Sequence, residues 1–142
     1  MSKIAVVYWS GTGNTEQMAE AVANGARTQG ADVELKQAVE FTADQLAAYD
    51  AVAFGCPAMG DEELEDTEFE PMFSACEKAL GDKPIVIFGS YSWAEGAWML
   101  TWAERCRKAG LRLLGDGLAV YDAPDAAAVA QCEALGAELA KQ

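Results

Sequence analysis

Residues 4–27 read IAVVYWSGTGNTEQMAEAVANGAR. Ile4 to Tyr8 is an apolar run of strand length, and from Thr15 to Arg27 the residues Met18, Ala19, Val22, Ala23 and Ala26 recur on one helical face. Between them lies a turn of glycines, hydroxyls and one amide. A strand, a tight small-residue turn and a helix make a βα unit. The turn's N–H groups can converge at the helix N-terminus as a nest for an anion. No Lys or Arg occurs from Ile4 to Ala26, so such an anion would be held by neutral donors.

The pattern repeats along the chain. Ala51–Phe54 and Ile85–Phe88 are further continuous apolar runs, as a parallel sheet covered on both faces requires. Asp32–Lys36 alternates and fits an edge strand. Arg112–Leu114 and Gly117–Tyr121 supply a fifth strand broken at Gly115-Asp116-Gly117. Helices are expected at Thr15–Arg27, stopped by Gly30, then from an N-cap at Thr42, and at Phe69–Leu80, Gly96–Lys108 and Asp125–Lys141. Five βα units in one 142-residue domain predict a doubly wound α/β sandwich with right-handed crossovers.

Composition excludes several chemistries. There is no histidine, which removes Ser-His and Cys-His nucleophiles and the common zinc sites. Cys56, Cys76, Cys106 and Cys132 are widely spaced, so free buried thiols and a cytoplasmic setting are expected. No apolar stretch has the length of a membrane span. A net charge of −13 argues against nucleic acid and favours solubility or a basic partner. Asp61, Glu62, Glu63, Glu65, Asp66, Glu68 and Glu70 crowd one segment of a stretch, Gln37 to Glu77, that has no basic residue.

In an open α/β sheet, ligands sit outside the carboxyl ends of the strands where strand order reverses. Three strand ends here carry unusual loops: YWSGTGNT, FGCPAMGDEE and FGSYSWAEG. The first lacks the lysine of a P-loop and, with Glu16 in place of glycine, the GxGxxG of a dinucleotide site. It suits a single phosphate monoester. The second offers a Met-Gly turn beside carboxylates, and the third a Trp among small residues, suited to stacking on a planar ligand. Taken singly, the first and third loops read equally well as an ordinary turn or core edge, and the second reads better as a generic turn with Met59 filling the core. Together they describe a planar ring with one phosphate on a polar tail, which fits flavin mononucleotide (FMN).

YWSGTGNT (8–15), GCPAMGDEELED (55–66) and GSYSWAEGAWM (89–99) resemble the three flavin-binding loops of the short-chain flavodoxins, the clostridial and Megasphaera-like group. The resemblance runs from Lys3 to the C-terminal helix. It implies a five-stranded parallel sheet of order 2-1-3-4-5 with helices on both faces and FMN at the switch point. The implied cofactor-binding set is Ser10, Gly11, Thr12, Gly13, Asn14, Thr15, Pro57, Ala58, Met59, Gly60, Asp61, Glu62, Gly89, Ser90, Tyr91, Ser92, Trp93 and Asp122. By that likeness Ser10, Thr12, Asn14 and Thr15 hold the phosphate with Ser90, and Met59 and Trp93 sandwich the ring. Glu62 accepts from ring N3–H, backbone amides from Gly89 to Trp93 reach the O2 side, and the Gly60 carbonyl meets N5 of the semiquinone. Ser92 and Ala94 stand where the family carries glycine, Asp122 replaces an asparagine near the ribityl chain, and Pro57 follows one branch.

The function so implied is low-potential one-electron transfer, the FMN shuttling between semiquinone and hydroquinone. The acidic segment would disfavour the reduced anion and attract redox partner proteins with basic docking surfaces. A monomer is expected. The alternative is an FMN-dependent quinone or NAD(P)H reductase of the same fold, for which no extra pocket-building segment is evident. A phospho-receiver domain would need aspartates where this chain has Trp9-Ser10 and Gly55-Cys56.

Overall fold

A computed structural model describes residues 2–11, 13–59, 64–92 and 96–142. The chain runs β1 (Lys3–Tyr8), α1 (Asn14–Thr28), β2 (Asp32–Gln37), β3 (Ala51–Gly55), α2 (Phe69–Glu77), β4 (Pro84–Tyr91), α3 (Ala97–Lys108), β5 (Arg112–Leu113), β6 (Leu118–Tyr121) and α4 (Ala126–Ala140). All strand pairs are parallel, in the order β2-β1-β3-β4-β5, with β6 also on β4. The expected order and edge strand are therefore present, and so is the break. Between the pairs Ile85↔Leu113 and Phe88↔Leu118, β4 advances three residues while its neighbour advances five. β5 and β6 are one strand interrupted by two extra residues.

Alternation along the central strands divides the core into two layers. Ile4, Val6 and Tyr8 pack with Met18, Val22, Cys132 and Leu139, under α1 and α4. Ala5 and Val7 face the other way, into the layer of Phe69, Phe73, Trp98 and Trp102 under α2 and α3. There Phe54 meets Phe73 edge-on at 5.1 Å and Phe69 meets Trp102 edge-on at 5.5 Å. Each such fully buried side chain contributes roughly 1.5–3 kcal/mol. Trp98 and Trp102, at helical spacing, are core residues, and all four cysteines are free and buried.

Two local expectations are corrected. The short helix expected after Thr42 is present as a 3-10 helix, Ala43–Ala48, but the Thr42 hydroxyl donates to Asp44 Oδ1 at 2.6 Å instead of capping the backbone. α2 ends at Glu77, short of Leu80.

Candidate functional site

The turn from Ser10 to Thr15 joins the centre of the sheet to α1. Gly13, at φ 96°, takes a left-handed conformation that side chains resist. That geometry lets Ser10 Oγ accept the N–H of Gly13 at 3.0 Å and of Glu16 at 3.3 Å. The Ser10 hydroxyl proton and the N–H groups of Asn14 and Thr15 meet no acceptor among the described residues. Unpaired donors at the positive end of a 15-residue helix are a ready anion seat. The Thr15 hydroxyl, 1% exposed, lies 3.0 Å from the hydroxyl of Ser90, 6% exposed, and locks the turn to the end of β4.

A crevice of about 280 Å³ opens beside these donors, lined by Trp9, Gly11, Asn14, Pro57, Ala58, Met59, Ser90, Tyr91, Ser92 and Asp122. It lies at the carboxyl edge of β1, β3, β4 and β6, flanking the point where strand order reverses. No Lys or Arg lines it among the described residues. Its walls combine half-buried Met59 and Tyr91, whose ring packs 5.7 Å from Trp98 and 5.6 Å from Tyr121. The backbone beneath is tight: a Cβ on Gly89 would lie 2.0 Å from the Cys56 carbonyl oxygen, so glycine alone permits the approach. Ala58 N–H donates to Ser90 O at 3.0 Å, which ties the second loop to the third.

Of the expected site residues, Gly11, Asn14, Pro57, Ala58, Met59, Ser90, Tyr91, Ser92 and Asp122 thus line one crevice. Ser10, Gly13 and Thr15 belong to the turn that carries Gly11 and Asn14, with Thr15 tied to Ser90, and Gly89 packs against the Cys56 carbonyl. Thr12, Gly60, Asp61, Glu62 and Trp93 lie outside the described residues, as does Ala94. Ser92 does not adopt positive φ, so it carries no left-handed strain; Asp122, at φ 56°, is the one non-glycine residue that does among those described. Trp9 was not singled out by sequence, yet it lines the crevice and donates its indole N–H to Glu68 Oε1 at 2.8 Å. A large aromatic directly after the first strand was the signal available.

The acidic segment is not the uniformly free charge its sequence suggests. Glu65 is buried, and its carboxylate accepts the N–H groups of Glu68 at 2.7 Å and of Thr67 and Phe69 at 2.9 Å, with the Thr67 hydroxyl as a fourth donor. Burial by itself would raise its carboxyl; the hydrogen bonds from Thr67, Phe69 and Glu68 outweigh that and hold it below its ordinary value. Glu65 N–H in turn donates to Cys56 Sγ at 3.4 Å. Burial pushes that thiol up to about 12, which makes Cys56 an inert anchor. Arg105 reaches Glu70 through two bonds of 2.7 and 2.8 Å and Glu77 through two of 3.0 and 3.2 Å, so a stretch with no basic residue in sequence has one beside it in the fold. The linear gap from Gln37 to Glu77 is bridged from α3.

The donor set suits FMN in kind: neutral hydroxyl and N–H donors at a helix start for a phosphate, and apolar and aromatic walls for a planar ring. Comparison with known proteins agrees. The pattern of the flavodoxin family matches residues 6–136. The chain is 41% identical to a flavodoxin of Megasphaera elsdenii over 97% of this chain and 98% of that one. It is 42% identical to a flavodoxin of Clostridium beijerinckii over 86% and 88%. The solution structure of two-electron reduced Megasphaera elsdenii flavodoxin superposes with a TM-score of 0.88, covering 98% of this chain and 99% of that one. The chain belongs to the flavodoxin family.

Proposed function

We propose that the crevice between the turn after β1 and the ends of β3, β4 and β6 is where this chain holds its FMN. Membership of the family makes the protein an FMN-binding electron carrier rather than an enzyme, exchanging electrons with redox partner proteins. Bound FMN supplies one-electron redox chemistry at its ring. The observation that carries the placement is that Asn14, whose backbone N–H meets no acceptor among the described residues, lines a crevice walled by Met59, Trp9 and Tyr91, with the donors of Ser10 and Thr15 in the same turn.

The chain's own residues have distinct parts. Ser10, Asn14 and Thr15 hold the phosphate with neutral donors, Thr12 and Ser90 complete that shell, and Met59 with Trp93 brackets the ring and excludes water. Asp61, Glu62 and the exposed Asp66 set a negative field near the ring, and no Lys or Arg among the described residues lines the crevice to offset it. A negative field disfavours added electrons, hence a low potential for the second. Trp9, Gly11, Pro57, Ala58, Tyr91 and Ser92 shape the walls. The partners are proteins with basic docking faces. The protein works as a monomer in the cytoplasm: Val39, Leu100 and Tyr121 are the large apolar side chains exposed among the described residues, too few for an obligate interface, and its thiols are unpaired.

Stepwise anaerobic reduction of the FMN-loaded protein, followed by absorbance, tests this reading. Two separated one-electron steps and no NAD(P)H consumption by the protein alone are expected. A single two-electron step with NAD(P)H turnover would instead mark a reductase.

A further inference from the structure

Asp122 combines three features found together nowhere else among the described residues. It lines the crevice, it holds a left-handed backbone at φ 56°, and its carboxylate accepts the side-chain amide of Asn14, Nδ2 to Oδ1, at 3.4 Å. Side chains resist that conformation, Asn and Asp least of all. It is imposed where the Asp122 N–H donates to Tyr91 O at 2.8 Å, directly after the Tyr91↔Tyr121 pair. Strain at a ligand-facing position points towards function. The consequence is a fixed carboxylate facing the first residue of α1, the same residue whose backbone N–H belongs to the anion seat. Among the described residues neither Lys nor Arg lines the crevice to offset it.

Resting on the placement of FMN in this crevice, we infer that Asp122 sorts the crevice's ligands by charge: its carboxylate opposes the phosphate of FMN while leaving an uncharged flavin unaffected. Two opposed contributions then meet at one end of the crevice. Helix α1 and the Ser10–Thr15 donors attract the phosphate; Asp122, exposed at the rim, repels it and draws one Asn14 amide proton towards itself. The chain therefore holds FMN less tightly, relative to riboflavin, than its donor set alone would allow.

The test compares the full wild-type chain, freed of flavin, with Asp122→Asn, which retains the left-handed preference and the ability to accept from Asn14. FMN and riboflavin are titrated separately by fluorescence quenching at 50 mM and at 1 M salt. The variant should bind FMN about fivefold more tightly at low salt and riboflavin within about twofold of wild type. The FMN gain should shrink at high salt, where screening acts within ~3 Å. Equal changes for both flavins, weaker FMN binding, or a gain that ignores salt would overturn the charge role. A wild-type chain that takes up neither flavin would overturn the crevice as the FMN seat, and this inference with it. Uptake of FMN by both proteins with no difference between them would remove the inference alone.

Discussion

Between β3 and α2, buried Glu65 accepts three backbone N–H groups and a hydroxyl, while Glu70 is held in two bonds by Arg105. After β6, Asp122 stands at the rim with one 3.4 Å bond to an amide and a left-handed backbone. Both segments border the crevice, and both add to a net charge of −13. The first spends much of its charge on holding itself together, capping α2 and clamping α3; the second leaves its carboxylate turned to whatever enters. Net charge is thus a poor guide to the field at a site. What matters is which carboxylates already have donors.

The comparison breaks most readily at Glu65. Glu65→Ala should cost about 2–3 kcal/mol, because it orphans buried N–H groups as well as removing a cap, whereas Asp122→Asn should change stability by less than about 0.5 kcal/mol. Urea unfolding of the two variants measures both. Next in size is the pH response. The Glu65 carboxyl is held below its ordinary value of 4.5, so its contribution is fully present above that pH and is lost as pH falls through the lower value of the folded state. Glu65→Gln should flatten the acid limb of a stability-against-pH curve. Arg105→Met should then cost about 1 kcal/mol, since it leaves Glu70 and Glu77 half-buried without their partner. Equal stability of that variant in chemical denaturation would mean the clamp is ornamental. The smallest effect belongs to exposed Asp66, which has no such partner among the described residues. Asp66→Asn should raise the potential of the second electron by on the order of 20 mV at low salt, readable by equilibrium redox titration.

Much of the fold was legible because its signals are local. The apolar runs at Ile4, Ala51 and Ile85 mark a sheet covered on both faces, and Gly115-Asp116-Gly117 marks the break that separates β5 from β6. The short helix after Thr42 was legible, its type and cap were not: six residues are too few for an α-helix to repay its nucleation, so a 3-10 helix forms and the threonine side chain turns to Asp44. In the site, glycines, hydroxyls and Met59 were readable because strand-end loops collect them. Trp9 escaped because an aromatic after a strand looks like core. The pairing of Glu70 with Arg105, 35 positions apart, leaves no periodic trace in sequence, and neither does the burial of one glutamate in a run of acids. Such pairings are decided by which helices the sheet brings side by side.

The placement of FMN is tested most directly by the ¹H–¹⁵N spectrum of the full labelled chain titrated with FMN. Shifts concentrated at Ser10 to Thr15, Ala58, Met59, Ser90, Asp122 and the Trp9 indole are expected, with the C-terminal turns of α4 unmoved. Shifts clustered instead in the separate cavity lined by Leu64, Thr101 and Trp102, or spread over the surface without saturating, would contradict it.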